Sequence, residues 1–462
     1  MRQADKAKNL EITLAKFANI TIRHEKILSK QLIDRIDGPL LSNGDNSKQQ
    51  TQCIIGLDFG TAFTKSIVRF RASDAYPINW SNAILTEEPY LLPSLFSEKS
   101  DGTCVLGFLN DAIVHENIKM GILDFNSNEA SIISVVFLGL VLRYIRHELL
   151  ITNSSIFKNY DIQWDLNIGL PTNHWDNNSL KSTYQHIARC AWNLSEQGSI
   201  ISIQKARDIF NLINQTNCTL EDHNIGIFPE FIAQISSYVK SPQRRQESYL
   251  HLLVDIGAGT IDIVTFNVHA IDDEDIFPIF EADVCKLGAH YFIKALASES
   301  ENPPLAWMDR DAQENSQNLS KKYSIPSDKL LLLYDLFSNT IGIKIKSALG
   351  RTKRLRYPNA PAWANGIPTI FSGGGCHISV YQNAMEKVKG NYKIEGITPP
   401  IPQDLTSKIS DTDLFQRLSV AYGLSFNQFD LGKIKAKGDV ENMTAPEQIS
   451  MAERLRNNFI DN

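Results

Sequence analysis

Cys53-Ile54-Ile55-Gly56-Leu57-Asp58-Phe59-Gly60-Thr61 and Leu252-Leu253-Val254-Asp255-Ile256-Gly257-Ala258-Gly259-Thr260 are two versions of one pattern. Each is an apolar run ending in an aspartate and a Gly-rich turn. Each is followed by a second strand-like run, Thr64 to Phe70 and Ile261 to Phe266. Strand, turn, strand is a hairpin, not the strand-turn-helix of a P-loop or dinucleotide fold. Glycine at a hairpin tip exposes backbone N–H groups that can wrap an anion. The aspartate at the end of the entering strand sets a carboxylate beside that anion, where Mg²⁺ would sit. Two tips from opposite sides would clamp a triphosphate.

The aspartates are 197 residues apart (255 − 58), which implies duplication of a whole lobe rather than a short repeat. A chain of 462 residues is long enough for two or more cores. Between and after the hairpins, strands and helices alternate. Gln163 to Pro171 and Ile367 to Phe371 read as strands. Ser131 to Leu150, Ser179 to Asn193, Leu330 to Leu349 and Leu414 to Phe426 read as helices. Asn110-Asp111-Ala112 reads as a turn and a helical start, and Asn302 to Ser327 as a mobile subdomain or loop. This is an α/β layout. The expected divisions are an amphipathic helical extension and linker at 1–50, lobe I at 51–245, lobe II at 246–430 and a polar tail at 431–462.

The apolar fraction is 43% and the formal net charge −6, so nothing in the balance favours nucleic acid. The basic run Arg351 to Arg356 reads as a solvated face. Six scattered cysteines lack metal-type spacing and point to a reducing, cytoplasmic setting. The N-terminus is not a signal peptide, and the apolar run Ile132 to Leu142 is too short to span a bilayer, so it reads as a buried helix and no membrane partner is expected.

DFGTAFTK (58–65), VDIGAGTIDIV (254–264) and TIFSGGGCHIS (369–379), in that order, resemble the two phosphate motifs and the adenosine motif of the actin / heat-shock chaperone / sugar-kinase ATPase superfamily. LPSLFSEKSDGTCVLG, LGAHYFIKAL and RLSVAYGLS are similar to further chaperone elements. FLGLVLRYIRHEL and IQWDLNIGLP look like the divergent branch typified by the twelfth human heat-shock subfamily. The resemblance covers residues 53 to about 426. It implies a duplicated ribonuclease-H-like fold, two lobes around a nucleotide cleft, and ATP with Mg²⁺ as ligands.

Carried over residue by residue, it implies that Asp58 and Asp255 hold Mg²⁺ through water, and that Asp262 orients or deprotonates the attacking water. Gly60, Thr61, Ala62, Phe63, Gly257, Ala258, Gly259 and Thr260 would face the phosphates. Two lysines compete for the developing charge, Lys65 as a contact and Lys119 as the catalytic cation. Gly373, Gly374 and Gly375 would admit the nucleoside. Gly288 and Lys346 would flank it, and His377 would either stack on adenine or remain a surface residue. The chain departs from the chaperone pattern at Phe228, where a Glu directly before the proline is expected; Glu230 follows that proline. Hydrolysis is therefore expected to be slow. Only 36 residues follow the last helix (462 − 426), too few for a peptide-binding domain and lid. The expected output is a nucleotide-dependent switch for a partner protein or co-encoded subunit, engaged through residues 1–50, which otherwise dock back on the body, or through the lobes. The alternatives are an actin-like filament-forming ATPase and a small-molecule kinase.

Overall fold

The structure, a computed structural model, describes residues 29–30, 48–71, 74–125, 127–172, 177–198, 200–212, 224–245, 249–271, 274–300, 316–322, 324–405, 407–428 and 430–435. The expected amphipathic extension lies outside these residues except for Ser29 and Lys30. Their backbone N–H groups donate to Phe108 and Ala83 carbonyls on lobe I.

The first hairpin is β1 (Gln49–Phe59) and β2 (Phe63–Phe70), followed by β3 (Asp74–Pro77) and the short β4 (Leu92–Pro93) against β2. Next come β5 (Phe96–Glu98), β6 (Cys104–Leu106) and β7 (Ile113–His115), a small sheet of order β6-β5-β7. The helical start expected at Ala112 is therefore a strand. Asp111 and Asn117 adopt positive φ (58° and 57°) at its two ends, breaking the chain before helix α1 (Ile118–Phe125) can begin. Helix α2 (Asn128–Thr152) follows, capped by the Ser127 hydroxyl, which accepts from the Ala130 N–H. Then come β8 (Tyr160–Leu170), α3 (Asn178–Glu196), α4 (Ile203–Leu212), β9 (Ile225–Pro229) and α5 (Glu230–Val239).

Lobe II repeats this plan. Hairpin β10 (His251–Ile256) and β11 (Ile261–Phe266) is followed by β12 (His269–Ile271) and β13 (Glu274–Cys285). Helices α6 (Ala289–Glu299) and α7 (Ser327–Arg351) precede β14 (Ile367–Ser372). Helix α8 (Ser379–Lys389), β15 (Ile394–Ile397) and α9 (Thr412–Leu424) follow. The tail then adds one more strand, β16 (Lys433–Lys435), parallel to β13. That strand is too short and polar to declare itself in sequence. In the stretch expected to be a loop, residues 316–322 are helical.

The first sheet runs β3-β2-β1-β8-β9 and the second β12-β13-β11-β10-β14-β15. In both, the hairpin strands are antiparallel, the third strand is antiparallel to the second, and the next two are parallel to the first. This is one fold used twice, the duplicated ribonuclease-H-like arrangement of a two-lobed, actin-like protein. Strands β1 and β10 are central and covered on both faces, so their apolar runs are continuous rather than alternating.

Packing crosses between the lobes. One face of the first sheet is covered by α2 and α3. Helix α2 is the one described helix long and apolar enough to cross a membrane, and most of it is buried there. The other face is covered by α9, the last helix of the chain, through Phe415, Leu418, Ala421 and Tyr422. Reciprocally, α5 covers one face of the second sheet through Phe231, Ile232, Ile235 and Tyr238. The two exchanged helices touch at Gly423, where an added Cβ would lie 2.0 Å from the Ala233 carbonyl oxygen.

His251 ties α5 to β10. Tyr238 donates to its Nε2 (2.9 Å), and its Nδ1–H donates to the Tyr249 carbonyl (2.7 Å). Burial pushes this imidazole down to about 4, with Arg245 and Arg244 adding repulsion. The unfolded chain takes that proton near pH 6.5, so the folded state gains relative stability above that value and loses it as pH falls towards 4. We expect about 2 kcal/mol of stability to be lost between pH 6.5 and 5. Urea midpoints at the two pH values, compared with His251→Gln, measure it; the variant should show the shallower slope.

Candidate functional site

The β1–β2 register sets Asp58 directly opposite Lys65, and the β10–β11 register sets Asp255 directly opposite Asp262. Each partner lies seven residues after its aspartate. The two hairpins are therefore superposable in pattern, but one carries an Asp–Lys pair and the other an Asp–Asp pair. Lys65 Nζ is 2.8 Å from Asp58 Oδ2. The tip of the first hairpin is closed by Gly60, where a Cβ would come within 2.3 Å of the Phe63 carbonyl oxygen. Ser94 Oγ donates to the Gly60 carbonyl (2.7 Å) and steadies the tip. In the second tip the Gly257 N–H donates to the Thr260 carbonyl (2.9 Å).

The tips face each other. A Cβ on Gly259 would stand 3.4 Å from Thr61 Oγ1 and 3.5 Å from Met120 Sδ. Between them lies a cleft with about 830 Å³ of empty space, its open mouth included.

The third turn closes the cleft from lobe II. Strand β14 runs parallel to β10 and sets Ser372 beside Asp255. Gly373 follows with φ of 89°, and a Cβ there would land 2.3 Å from Asp255 Oδ1. The Gly375 N–H donates to the Ile256 carbonyl (3.0 Å), folding the turn back over β10.

Asp58, Gly60, Thr61, Ala62, Phe63, Lys65 and Lys119 line the cleft from lobe I. Asp255, Gly257, Ala258, Gly259, Thr260, Asp262, Gly373, Gly374 and Gly375 line it from lobe II. Three expected residues do not. Gly288 sits behind the second tip, where its missing side chain lets Ala258 and Gly257 carbonyls approach; a Cβ would be 2.5 Å and 2.6 Å from their oxygens. It buttresses the tip, and the next residue, Ala289, reaches the lining. Lys346 is half-buried on α7, away from the lining. His377 faces Asp413, with Nε2 3.7 Å from Oδ1, also outside it.

Five further residues reach the cleft besides Ala289: Glu230 and Gln234 from α5, and Gln416, Arg417 and Val420 from α9. Glu230 and Gln234 are polar positions four apart on an otherwise apolar helix, and so share one face; that spacing was the available signal. Glu230 Oε1 is 2.5 Å from Lys119 Nζ. Position 228 offers the cleft no carboxylate, but Glu230, the first residue of α5, places one in its lining. Gly169 makes room for it, since a Cβ there would lie 2.8 Å from Glu230 Cγ.

Burial dominates the electrostatics. It opposes the charge on Lys119, but the carboxylates of Glu230 and Asp58 outweigh it and hold the amine above its usual range. Burial pushes Asp255 up to about 6; Gln234 pulls it down, and the charges of Glu230 and Asp58 push it further up. Burial and the charges of Glu230 and Asp255 push Asp262 up to about 8. Asp255 Oδ1 is buried and without a hydrogen-bond partner. Among the described residues no three acidic, His or Cys side chains converge closely enough to ligate an ion directly. Asp58 and Asp255, facing one cleft, would hold a small hydrated dication such as Mg²⁺ through its waters.

No protein-family model matches the chain, and no curated protein matches it. Similar solved structures include the crystal structure of MreB5 of Spiroplasma citri bound to ADP. It superposes with a TM-score of 0.43 at 13% identity, over 81% of this chain and 95% of that one. The AMPPNP-bound form of MreB5 gives 0.44 at 13% identity, with the same coverage.

Proposed function

We propose that the chain binds Mg·ATP between its lobes and hydrolyses it slowly. The observation that carries this reading is the convergence of three Gly-rich turns with Asp58, Asp255, Asp262, Glu230 and Lys119 on one cleft. The first two turns supply backbone donors for phosphates; the third leaves open backbone for a nucleoside. Bound Mg²⁺ would neutralise phosphate charge from a water-mediated seat on Asp58 and Asp255. Asp262 orients the attacking water and takes its proton, and Lys119, fixed by Glu230, faces the charge that develops on the transferred group.

Lobe closure on the nucleotide would bend the chain where α5 and α9 cross, and the output is proposed to be a chaperone-like switch acting on a partner protein. Self-assembly of actin-like type is the competing output. Titration calorimetry with ATP and ADP, with and without Mg²⁺, tests binding, and phosphate release tests hydrolysis. Absence of nucleotide binding overturns the reading. ATP-dependent pelleting of the pure protein replaces the partner switch by a filament. Transfer of the γ-phosphate to a metabolite rather than water replaces both by a kinase.

Gly373→Ala should weaken ATP binding roughly 5- to 100-fold. The substitution both strains a left-handed backbone position and pushes on Asp255, and strain of this kind is of order 1–3 kcal/mol, with about 1.4 kcal/mol per tenfold in affinity. Gly396→Ala, in β15 with nothing within 4 Å of the added carbon, is the control and should bind as wild type.

A further inference from the structure

Among the described residues three cations line the cleft: Lys65, Lys119 and Arg417. Two are already committed, Lys65 to Asp58 at 2.8 Å and Lys119 to Glu230 at 2.5 Å. Arg417 is different. Its nearest carboxylate is Glu88, at 4.0 Å, and the Glu88 side chain is 56% exposed. That is beyond hydrogen-bond distance, and at that exposure the pair is weak.

The position of Arg417 is specific. Its guanidinium lies over the Phe63 ring, 5.3 Å from the centroid, at the first turn. Its Nε lies 3.9 Å from the point where a Cβ would sit on Gly374, in the third turn. The side chain therefore spans the gap between a phosphate turn of lobe I and the nucleoside turn of lobe II. It does so from α9, a rigid helix wedged against the first sheet.

We propose that Arg417 grips the inner, sugar-linked phosphate of the bound nucleotide. The inference rests on the nucleotide reading above and adds a residue and a phosphate position to it. The outer phosphates go to the two hairpin tips and the sugar to the third turn. The phosphate joining them passes between those points, where Arg417 stands. A guanidinium is a planar fork that matches two phosphate oxygens at once, and a ring beneath it limits the freedom lost on binding. Four carboxylates line this cleft, so a polyphosphate needs an uncommitted cation to enter it. Arg417 provides one without breaking an existing close ion pair.

The test is a ligand ladder of adenosine, AMP and ADP, titrated against wild type, Arg417→Gln, Arg417→Lys and Glu88→Gln. Losing a charge-assisted hydrogen bond pair should weaken AMP and ADP by a similar factor, roughly 10- to 100-fold, in Arg417→Gln. Adenosine affinity should not change. Arg417→Lys, which keeps the charge without the fork, should recover part of the loss. Glu88→Gln, which removes the competing carboxylate, should tighten ADP. An equal loss for adenosine would mean a base contact or a structural role and overturns the proposal, as does unchanged AMP and ADP binding in Arg417→Gln. If that variant fails to fold, Arg417→Lys decides, and AMP and ADP binding equal to wild type overturns the proposal. Wild-type protein that binds none of the three ligands overturns the nucleotide reading itself, a result separate from wild type that binds ADP with no dependence on Arg417.

Discussion

Asp262→Asn should abolish most turnover while leaving nucleotide affinity close to wild type. The side chain keeps its shape but loses the ability to take a proton, and loss of a general base typically lowers turnover by roughly 10²–10⁴-fold. The buried setting that raises Asp262 to about 8 places it near the operating pH of such a base. A base acts deprotonated, so wild-type kcat/KM should rise with pH and level off above about 8. Asp262→Asn should lose that limb. Phosphate release at a series of pH values and calorimetry with ADP measure the two halves. A second signature concerns stability. A carboxylate raised in the folded state holds its proton longer than in the unfolded chain, so nucleotide-free wild type should lose stability as pH rises from about 4 to about 8. Asp262→Asn should melt higher than wild type at pH 8 and alike near pH 4. Unchanged turnover in the variant removes Asp262 from the mechanism.

Gly423→Val should be the most destabilising single change outside the cleft. A Cβ at Gly423 would lie 2.0 Å from the Ala233 carbonyl oxygen and 2.4 Å from its Cα, so backbone meets side chain with nothing flexible to yield. Neither helix is free to move. Helix α5 is held to the second sheet by Phe231 against Phe266 and Phe277. Helix α9 is held to the first by Asn167, whose amide donates to Leu424 and Phe426 carbonyls (2.8 Å each). Gly56 on β1 also lets the Ala421 carbonyl approach, since a Cβ there would be 2.3 Å from it. Overpacking usually costs about 1–3 kcal/mol, and a clash with backbone on both sides belongs at or above the upper end. Urea or thermal unfolding should show the loss. Gly198→Ala, with open space around it, should move stability by less than about 0.5 kcal/mol.

The parts of the site that could be read from sequence are those built within a few residues. A turn that needs glycine, an aspartate before it and a strand on each side are local facts, and DFGT, DIGAGT and SGGG carried them. Lys119 was legible only by resemblance, since nothing near it in sequence says that Glu230 will meet it 111 residues later. The displaced carboxylate shows the limit of position-by-position reading. Phe228 suggested a missing group, whereas a helix that begins at Glu230 directs a side chain into the same cleft. Lys346 looked suitable as part of a helix expected to flank the nucleoside, and His377 by its place in the third motif, but neither side chain reaches the lining. The exchange of α5 and α9 was not legible at all. Both helices are largely apolar, and periodicity reports that a face is buried without saying which sheet buries it.

That exchange has a consequence for the chain as a polymer. Helix α5 precedes the second sheet in sequence yet covers it, and α9 follows the second sheet yet covers the first. A cut between Val239 and His251 would therefore leave two fragments, each holding a helix whose partner sheet is on the other piece. Each fragment would expose one bare sheet face and one orphan apolar helix, a combination that aggregates. Expressed together, they carry every surface needed to reassemble. The molecule is interlocked rather than bipartite, and fragment complementation, not autonomous half-domains, is the behaviour its topology prescribes.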